Sequence, residues 1–328
     1  MRDWAQIIAF GVLAAFVPLL VRDSYLLQVA TLILLYAYLG SAWNLLGGFA
    51  GQLSLGHAVF FGLGAYLGTV LQLDRGMNPW MGLLVAGLAG AGLSWLIGYP
   101  CFRLRGPYYT LTTIAFAELT RLGVMNTNTV FGWHVNGARG LLIPSLGEAP
   151  LRFQSLHKAY YYAVILCLLL LLQCVGAWLR ERRMGHYWIA VREDEEAAAS
   201  LGVNVKRAKL SAAALSGAFT AMGGVFYAQL VLFVDPTRVL GMDLSVECAV
   251  VALVGGAGTL WGPVLGALLL RPLTEWLQWT SGSRFRGLHL LLYGAMLIVV
   301  VTKFPNGLAG SWRWLHRKEK DPVAEAAS

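Results

Sequence analysis

The feature that most constrains this chain is a succession of apolar runs, each close to the thickness of a bilayer core. A helix needs about 20 apolar residues to cross ~30 Å of hydrocarbon. Runs of that kind extend over Ala5–Val21, Tyr25–Leu46, Leu55–Gln72, Pro79–Tyr99, Pro107–Met125, Ala159–Leu179, Leu210–Phe233, Leu244–Leu260, Pro263–Trp279 and Leu288–Phe304. The first is read as a retained helix, because no convincing small-x-small cleavage site follows it. The eighth is short and interrupted by glycines, so it and the ninth stand either as two spans or as one broken unit. Backbone polar groups in lipid must be satisfied within the chain, and helices do this segment by segment. The fold class expected is therefore all-α: a polytopic membrane protein with about ten transmembrane helices, some short or broken.

Composition supports the same class. Of 328 residues, 57% are hydrophobic and 13% charged, against about 25% charged in soluble domains. The largest polar gaps, 127–156 and 180–209, are about 30 residues each and leave no room for a soluble domain. Residues 1–328 are accordingly read as a single transmembrane domain. A net charge of +8 raises the question of nucleic acid, but no RNP, helix-turn-helix or finger pattern is present. Basic loops are what the positive-inside rule predicts for a membrane protein. Cys101, Cys167, Cys174 and Cys248 lie in or beside spans without metal-like or disulfide spacing and read as small apolar fillers.

With ten spans, both termini share a side with residues 180–209. That side then carries fifteen Lys and Arg and the opposite side eight, with Arg121 and Arg271 inside spans. The excess assigns 180–209, both termini and the tail 305–328 to the cytoplasm. Residues 127–156 are then expected to face outward.

The polar segment 180–209 has internal order. Asp194 is a fair N-cap, Glu195 and Glu196 put negative charge in a first turn, and Gly202 suits the left-handed C′ position. The helix these marks define, from Glu195 to Leu201, is about 10 Å long. Ala197 and Leu201 share one face at i, i+4, and Ala198 lies beside Leu201 at i, i+3. Small side chains there would let another protein approach closely. The run Glu196-Ala197-Ala198, with Gly202 after it, resembles the EAA loop of ABC-importer permeases, whose short coupling helix sits in a cleft of the ATP-hydrolysing subunit. Without that resemblance it reads as a basic loop carrying a solvated helix.

Further blocks share a second resemblance. Asn44-Leu45-Leu46-Gly47-Gly48 is followed by Gly51-Gln52-Leu53-Ser54-Leu55-Gly56-His57-Ala58 and by Gly62-Leu63-Gly64-Ala65-Tyr66. Gly106 to Thr113, Ala190 to Glu195, Gly255 to Pro263 and Pro305 to Leu308 continue the series in order. Together these resemble the branched-chain amino acid ABC-permease family, in its LivM-type branch. Two positions depart from the family pattern: Asn136-Gly137-Ala138-Arg139-Gly140 stands where a Gly-Gly pair is usual, and Pro107 where a small or acidic residue is usual. Both bear on the solute and leave the transporter class untouched.

The resemblance implies a many-helix importer permease of the type II-like kind in a bacterial inner membrane. It implies two ABC ATPase subunits, a second, homologous but distinct permease forming a heterodimer, and a periplasmic solute-binding protein docking on 127–156, with lipid around the spans. Branched-chain or other neutral amino acids are the implied solutes; urea and related small solutes are served by the same family. The coupling residues implied are Arg192, Glu193, Asp194, Glu195, Glu196, Ala197, Ala198, Leu201 and Gly202.

Residues for a translocation path or hinge are drawn from polar and glycine positions near the spans: Asn44, Gln52, Ser54, His57, Thr110, Thr112, Thr113, Glu118, Glu247, Gly255, Gly256 and Gly258. The glycine clusters 47–56 and 255–262 mark either breaks beside a path or close helix packing, as Gly62-Leu63-Gly64 and Gly87…Gly90…Gly92 do. Ionisable residues within spans are costly and need partners. Glu118 has Arg121 one turn on and Arg271 has Glu275, whereas Glu247 has none nearby in sequence and either faces a path or pairs with another permease. His57 serves a helix–helix hydrogen bond or, less economically, proton transfer. Thr110, Thr112 and Thr113 either line a path or bond back to their own helix.

The sequence holds no Gly-x-x-x-x-Gly-Lys-Ser/Thr, so ATP and Mg are assigned to partner subunits and no cofactor or metal to this chain. A stand-alone secondary transporter or channel would need paired intramembrane carboxylates, and the acids here are scattered. An intramembrane enzyme would need a clustered catalytic constellation, and none is visible.

Overall fold

The computed structural model describes residues 2–21, 23–104, 106–130, 133–145, 147, 149–281, 294 and 307–309. The tenth apolar run, 288–304, and most of the tail 305–328 lie outside the described residues, as do Arg284 and Arg286. The helices, in order, are α1 (Arg2–Ala15), α2 (Val17–Leu20), α3 (Ser24–Asn44), α4 (His57–Arg75), α5 (Pro79–Cys101), α6 (Pro107–Met125), α7 (Lys158–Glu181), α8 (Arg183–Glu193), α9 (Glu195–Ser200), α10 (Val205–Val231), α11 (Pro236–Val239), α12 (Met242–Gly255) and α13 (Gly262–Ser281). A π-helical turn, Leu45–Phe49, extends α3. Four two-residue strands form two antiparallel pairs: β1 (Thr129–Val130) with β2 (Trp133–His134), and β3 (Leu141–Leu142) with β4 (Phe233–Val234).

The chain is a polytopic helical protein. Five helical stretches among the described residues are long and apolar enough to cross a membrane: Asp3–Leu20, Ser24–Phe49, Pro79–Cys101, Lys158–Glu181 and Val205–Val231. α4 and α6 reach 19 residues each, with Gln72, Asp74 and Arg75 closing α4 and four threonines, Glu118 and Arg121 in α6. Boundaries follow local chemistry. Asp23 Oδ1 accepts from the Tyr25 N–H at 2.8 Å to start α3, and Asn78 with Pro79 starts α5 in the same way.

Several expected boundaries move. The first apolar run is broken at Phe16, just before the Pro18 ring in α2, which suits a first turn and interrupts a continuing helix. The seventh begins at Val205, five residues before Leu210, because Asn204 Oδ1 caps it by accepting from the Arg207 N–H at 3.0 Å. The eighth ends at Gly255, since Gly256 has φ +120° and no side chain to resist it. α12 and α13 are thus separate helices packed back to back. A Cβ on Gly255 would lie 1.7 Å from the Gly262 carbonyl, and one on Gly266 2.0 Å from that of Val251.

α10 is the central helix, packed along α4 and α5. Contact is backbone to backbone: a Cβ on Gly64 would meet the Ala221 carbonyl at 1.9 Å, one on Gly224 that of Phe61 at 2.0 Å, and one on Gly90 that of Gly217 at 2.5 Å. Small residues permit this approach. Gly92 takes no part, having nothing within 4 Å of such a Cβ.

The bundle has two distinct ends. One gathers α8, α9, the start of α1, the ends of α3, α5 and α7, and the turn between α12 and α13; Arg180 binds Asp3 at 2.9 Å there. The other holds segment 127–156 and the α10–α12 connection, joined by β3–β4 pairing. Phe153, fully buried, packs 4.3 Å from the Trp80 ring and 6.3 Å from those of Tyr160 and Phe226.

Candidate functional site

At the first end, α9 has the predicted form. Asp194 Oδ1 accepts from the N–H groups of Glu196 (2.8 Å) and Ala197 (3.0 Å). These two bonds, Ala197 first, hold its carboxyl below the usual aspartate range. Gly202, at φ +84°, closes the helix with a Schellman motif: its N–H donates to the Ala199 carbonyl at 2.9 Å and the Val203 N–H to that of Ala198 at 3.0 Å.

The helix has two faces. Glu195 and Ala198, three residues apart, turn inward. Ala198 is buried in the chain's own core, and the expectation that it borders an open docking face is corrected by that spacing. Glu196 and Ala197 are exposed, and Leu201 is 85% exposed.

Glu195 pairs with Lys209 of α10, which is 2% exposed and lies 6.0 Å from the Phe102 ring centroid. The same carboxylate accepts from Gln52 Nε2 at 3.3 Å. Lys209 was counted in sequence as one more loop charge, yet it is the cation that fixes α9. The Asn204 cap, with helix continuing from it, was the signal that would have placed Lys209 on α10.

One turn earlier, Arg192 Nη1 donates to the Gly48 carbonyl at 3.1 Å and Arg192 also pairs with the exposed Glu193. Arg192 belongs to α8, which the sequence reading missed; α8 is anchored by Trp188, whose Nε1 donates to Ser211 Oγ at 3.0 Å.

Beneath α8 and α9 the two glycine clusters meet. Asn44 Nδ2 donates to the Thr259 carbonyl and Asn44 Oδ1 accepts from the Gly258 N–H, both at 2.8 Å. No side chain fits at Gly48, where a Cβ would lie 1.8 Å from Asn44 Oδ1 and 2.4 Å from the Gly258 nitrogen. Gly258 itself has φ +74° and faces Arg192 Nη1, 2.3 Å from where its Cβ would stand. The π turn Leu45–Phe49 supplies the irregular backbone that brings Gly48 to this point.

The loop 50–56 is latched to α6. Thr110 Oγ1 donates to the Leu53 carbonyl at 2.8 Å, and Thr113 Oγ1 accepts from the Leu55 N–H at 3.1 Å. Thr112 instead bonds back to the Tyr108 carbonyl of its own helix at 2.8 Å. Ser54 is buried, and its carbonyl accepts from Trp43 Nε1 at 2.7 Å. His57 is fully buried; its Nε2 meets Ser216 Oγ at 2.8 Å, and that hydroxyl donates to the Ala42 carbonyl at 2.7 Å. The hydroxyl's proton is thereby used, so Nε2 carries the ring proton.

Not every expected residue joins this cluster. Glu118 pairs with Arg121 on an exposed face of α6. Glu247 does have a partner in its own chain: Arg271 of α13, at 3.8 Å, which also reaches Glu275 at 3.5 Å and stacks 3.8 Å over the Tyr36 ring. The pairing joins two helices, which is why it was invisible locally in sequence.

No group of three or more His, Cys, Asp or Glu suited to a metal ion occurs among the described residues. Glu195 of α9 and Arg192 of α8 both bond to the glycine cluster 47–56, and Asn44 ties that cluster to 255–262.

Comparison with known proteins agrees with this architecture. The profile of the family described as branched-chain amino acid transport system, permease component, matches residues 25–301. The chain is 30% identical over 321 residues to the high-affinity branched-chain amino acid transport system permease protein LivM of Escherichia coli K12, covering 92% of this chain and 74% of that one. It is 30% identical to LivM of Salmonella typhimurium over 300 residues, 86% of this chain and 69% of the other. Similarity to the LivH permease of Escherichia coli K12 is 22% over 291 residues, 84% and 91% of the two chains. No solved structure matches. The chain belongs to the branched-chain amino acid transport system permease family.

Proposed function

We propose that this chain is the LivM-type permease subunit of an ATP-driven importer in a bacterial inner membrane, moving branched-chain or other neutral amino acids delivered by a periplasmic binding protein. The observation that carries the coupling part is the two-faced α9: Leu201 and Ala197 are exposed, while Glu195 is bonded to Lys209 and Gln52. An ATP-hydrolysing subunit seated on the outer face would move Glu195, and with it the loop 50–56. Similarity to both LivM and LivH supports a second, homologous permease as partner. ATP and Mg belong to the partner subunits in this reading, and α9 lies in the cytoplasm with the chain's N-terminus, in keeping with the excess of Lys and Arg.

Uptake of labelled leucine in cells with and without the gene tests the substrate. Gene-dependent uptake suppressed by valine is expected. An assembled complex with no gene-dependent leucine uptake would reassign the solute, with urea the first alternative to try.

A further inference from the structure

A cavity of ≈ 270 Å³ lies between α3, α4, α10, α11 and α12. Its lining combines apolar residues, Leu35, Leu39 and Phe61 among them, with the charged Arg238, Asp243 and Glu247. Leu35 and Leu39 stand nine and five residues before Asn44, about 14 and 8 Å along the helix from the glycine junction. The cavity therefore borders the middle of the 21-residue helix α3.

Arg238 and Asp243 follow a break in helical structure. α10 stops at Leu232, which has φ +59°, and the chain passes through β4 and α11 before α12 begins. Irregular backbone within a helical membrane protein is tolerated where it lines a cavity. Glu247 is already engaged by Arg271. Arg238 and Asp243 are exposed and make no ion pair with any described residue. The cavity thus offers one uncompensated cation, one uncompensated anion and apolar lining residues. Its volume falls just under the ~300 Å³ where pockets for drug-sized ligands begin, which limits it to one small molecule.

We propose that this cavity binds a single zwitterionic amino acid with an apolar side chain, the carboxylate toward Arg238 and the ammonium toward Asp243. Urea, an uncharged molecule, would leave both charges unmatched. The proposal rests on the importer reading and adds a solute site within this subunit.

The test is equilibrium binding of labelled leucine to the assembled transporter in nanodiscs, without the binding protein, for the unmodified chain and for Arg238→Gln and Asp243→Asn. Saturable binding is expected, weakened at least tenfold by each substitution. Isoamylamine and 4-methylpentanoate, each carrying half of the zwitterion, should compete poorly. Absence of saturable binding in a complex that still imports leucine, or binding unchanged in both variants, would overturn the cavity site while leaving the importer reading intact. Absence of both binding and uptake would overturn the reading beneath it.

Discussion

The two ends of the bundle are held by different physics. At the α9 end, the contacts are directional: a carboxylate on a buried ammonium, a guanidinium on a carbonyl, and an amide bridging two loops. At the opposite end, Phe153, Trp80, Tyr160 and Phe226 pack as an aromatic cluster beside neutral hydrogen bonds such as Asn78 Nδ2 to the Leu151 carbonyl, and two short strands pair; no ion pair joins two described residues of segment 127–156. Aromatic packing tolerates small shifts and transmits them in no particular direction. A charge pair such as Glu195 with the buried Lys209 is costly to separate, because one charge would be left buried and unpaired. The contrast fits the proposed role of the α9 end in coupling.

The largest effects expected are equal in stability and opposite in coupling. Phe153→Ala opens a cavity at the aromatic end and should cost ~3–5 kcal/mol. Lys209→Met leaves Glu195 partly buried without its cation and should cost ~3–5 kcal/mol. Thermal unfolding of the purified complex measures both. At a temperature where both variants remain folded, Phe153→Ala should keep uptake tied to ATP hydrolysis, whereas Lys209→Met should hydrolyse ATP with little uptake. Adding Glu195→Gln to Lys209→Met should restore part of the stability, since the stranded charge is gone.

A smaller effect is expected at the junction of the glycine loops. Asn44→Ala removes the partner of the half-buried Gly258 N–H and Thr259 carbonyl, at ~1 kcal/mol for such groups. Hydrogen exchange at 255–260 should rise in this variant while that at 141–142 stays unchanged.

The smallest effect belongs to the α9 cap. The Asp194 carboxyl is held below the usual aspartate range, so its support for α9 is complete above the ordinary value near ~3.9 and fades only as pH falls through the lower folded value. Exchange at the Glu196 and Ala197 amides should therefore show no cap-related change between pH 7 and pH 5, and should rise at both in Asp194→Ala.

What the sequence made legible was local. Asp194, Glu195 and Gly202 mark α9 within nine positions, because caps are set by residues two to five apart. α8 went unread because Arg182 precedes it with no side-chain cap, leaving no start signal. Glu195 with Lys209, Glu247 with Arg271, and Asn44 with Gly258 and Thr259 join residues far apart in the chain, and nothing in local spacing announces them. Ala198 shows the cost of that gap: helical spacing placed it beside Leu201, but only the packing of α9 onto the bundle decides which face is inward.

The central claim is that the exposed face of α9 docks an ATP-hydrolysing subunit while its inner face moves the glycine loops. Cross-linking tests it most directly, using Leu201→Cys in the assembled complex with Leu142→Cys at the other end and the unmodified chain, with its four cysteines, as controls. The account predicts a cross-link to the ATP-hydrolysing subunit from position 201 alone, at a yield that changes when ATP is bound. An assembled, ATP-hydrolysing complex that gives no such cross-link at 201, or gives it at 142, would contradict the account.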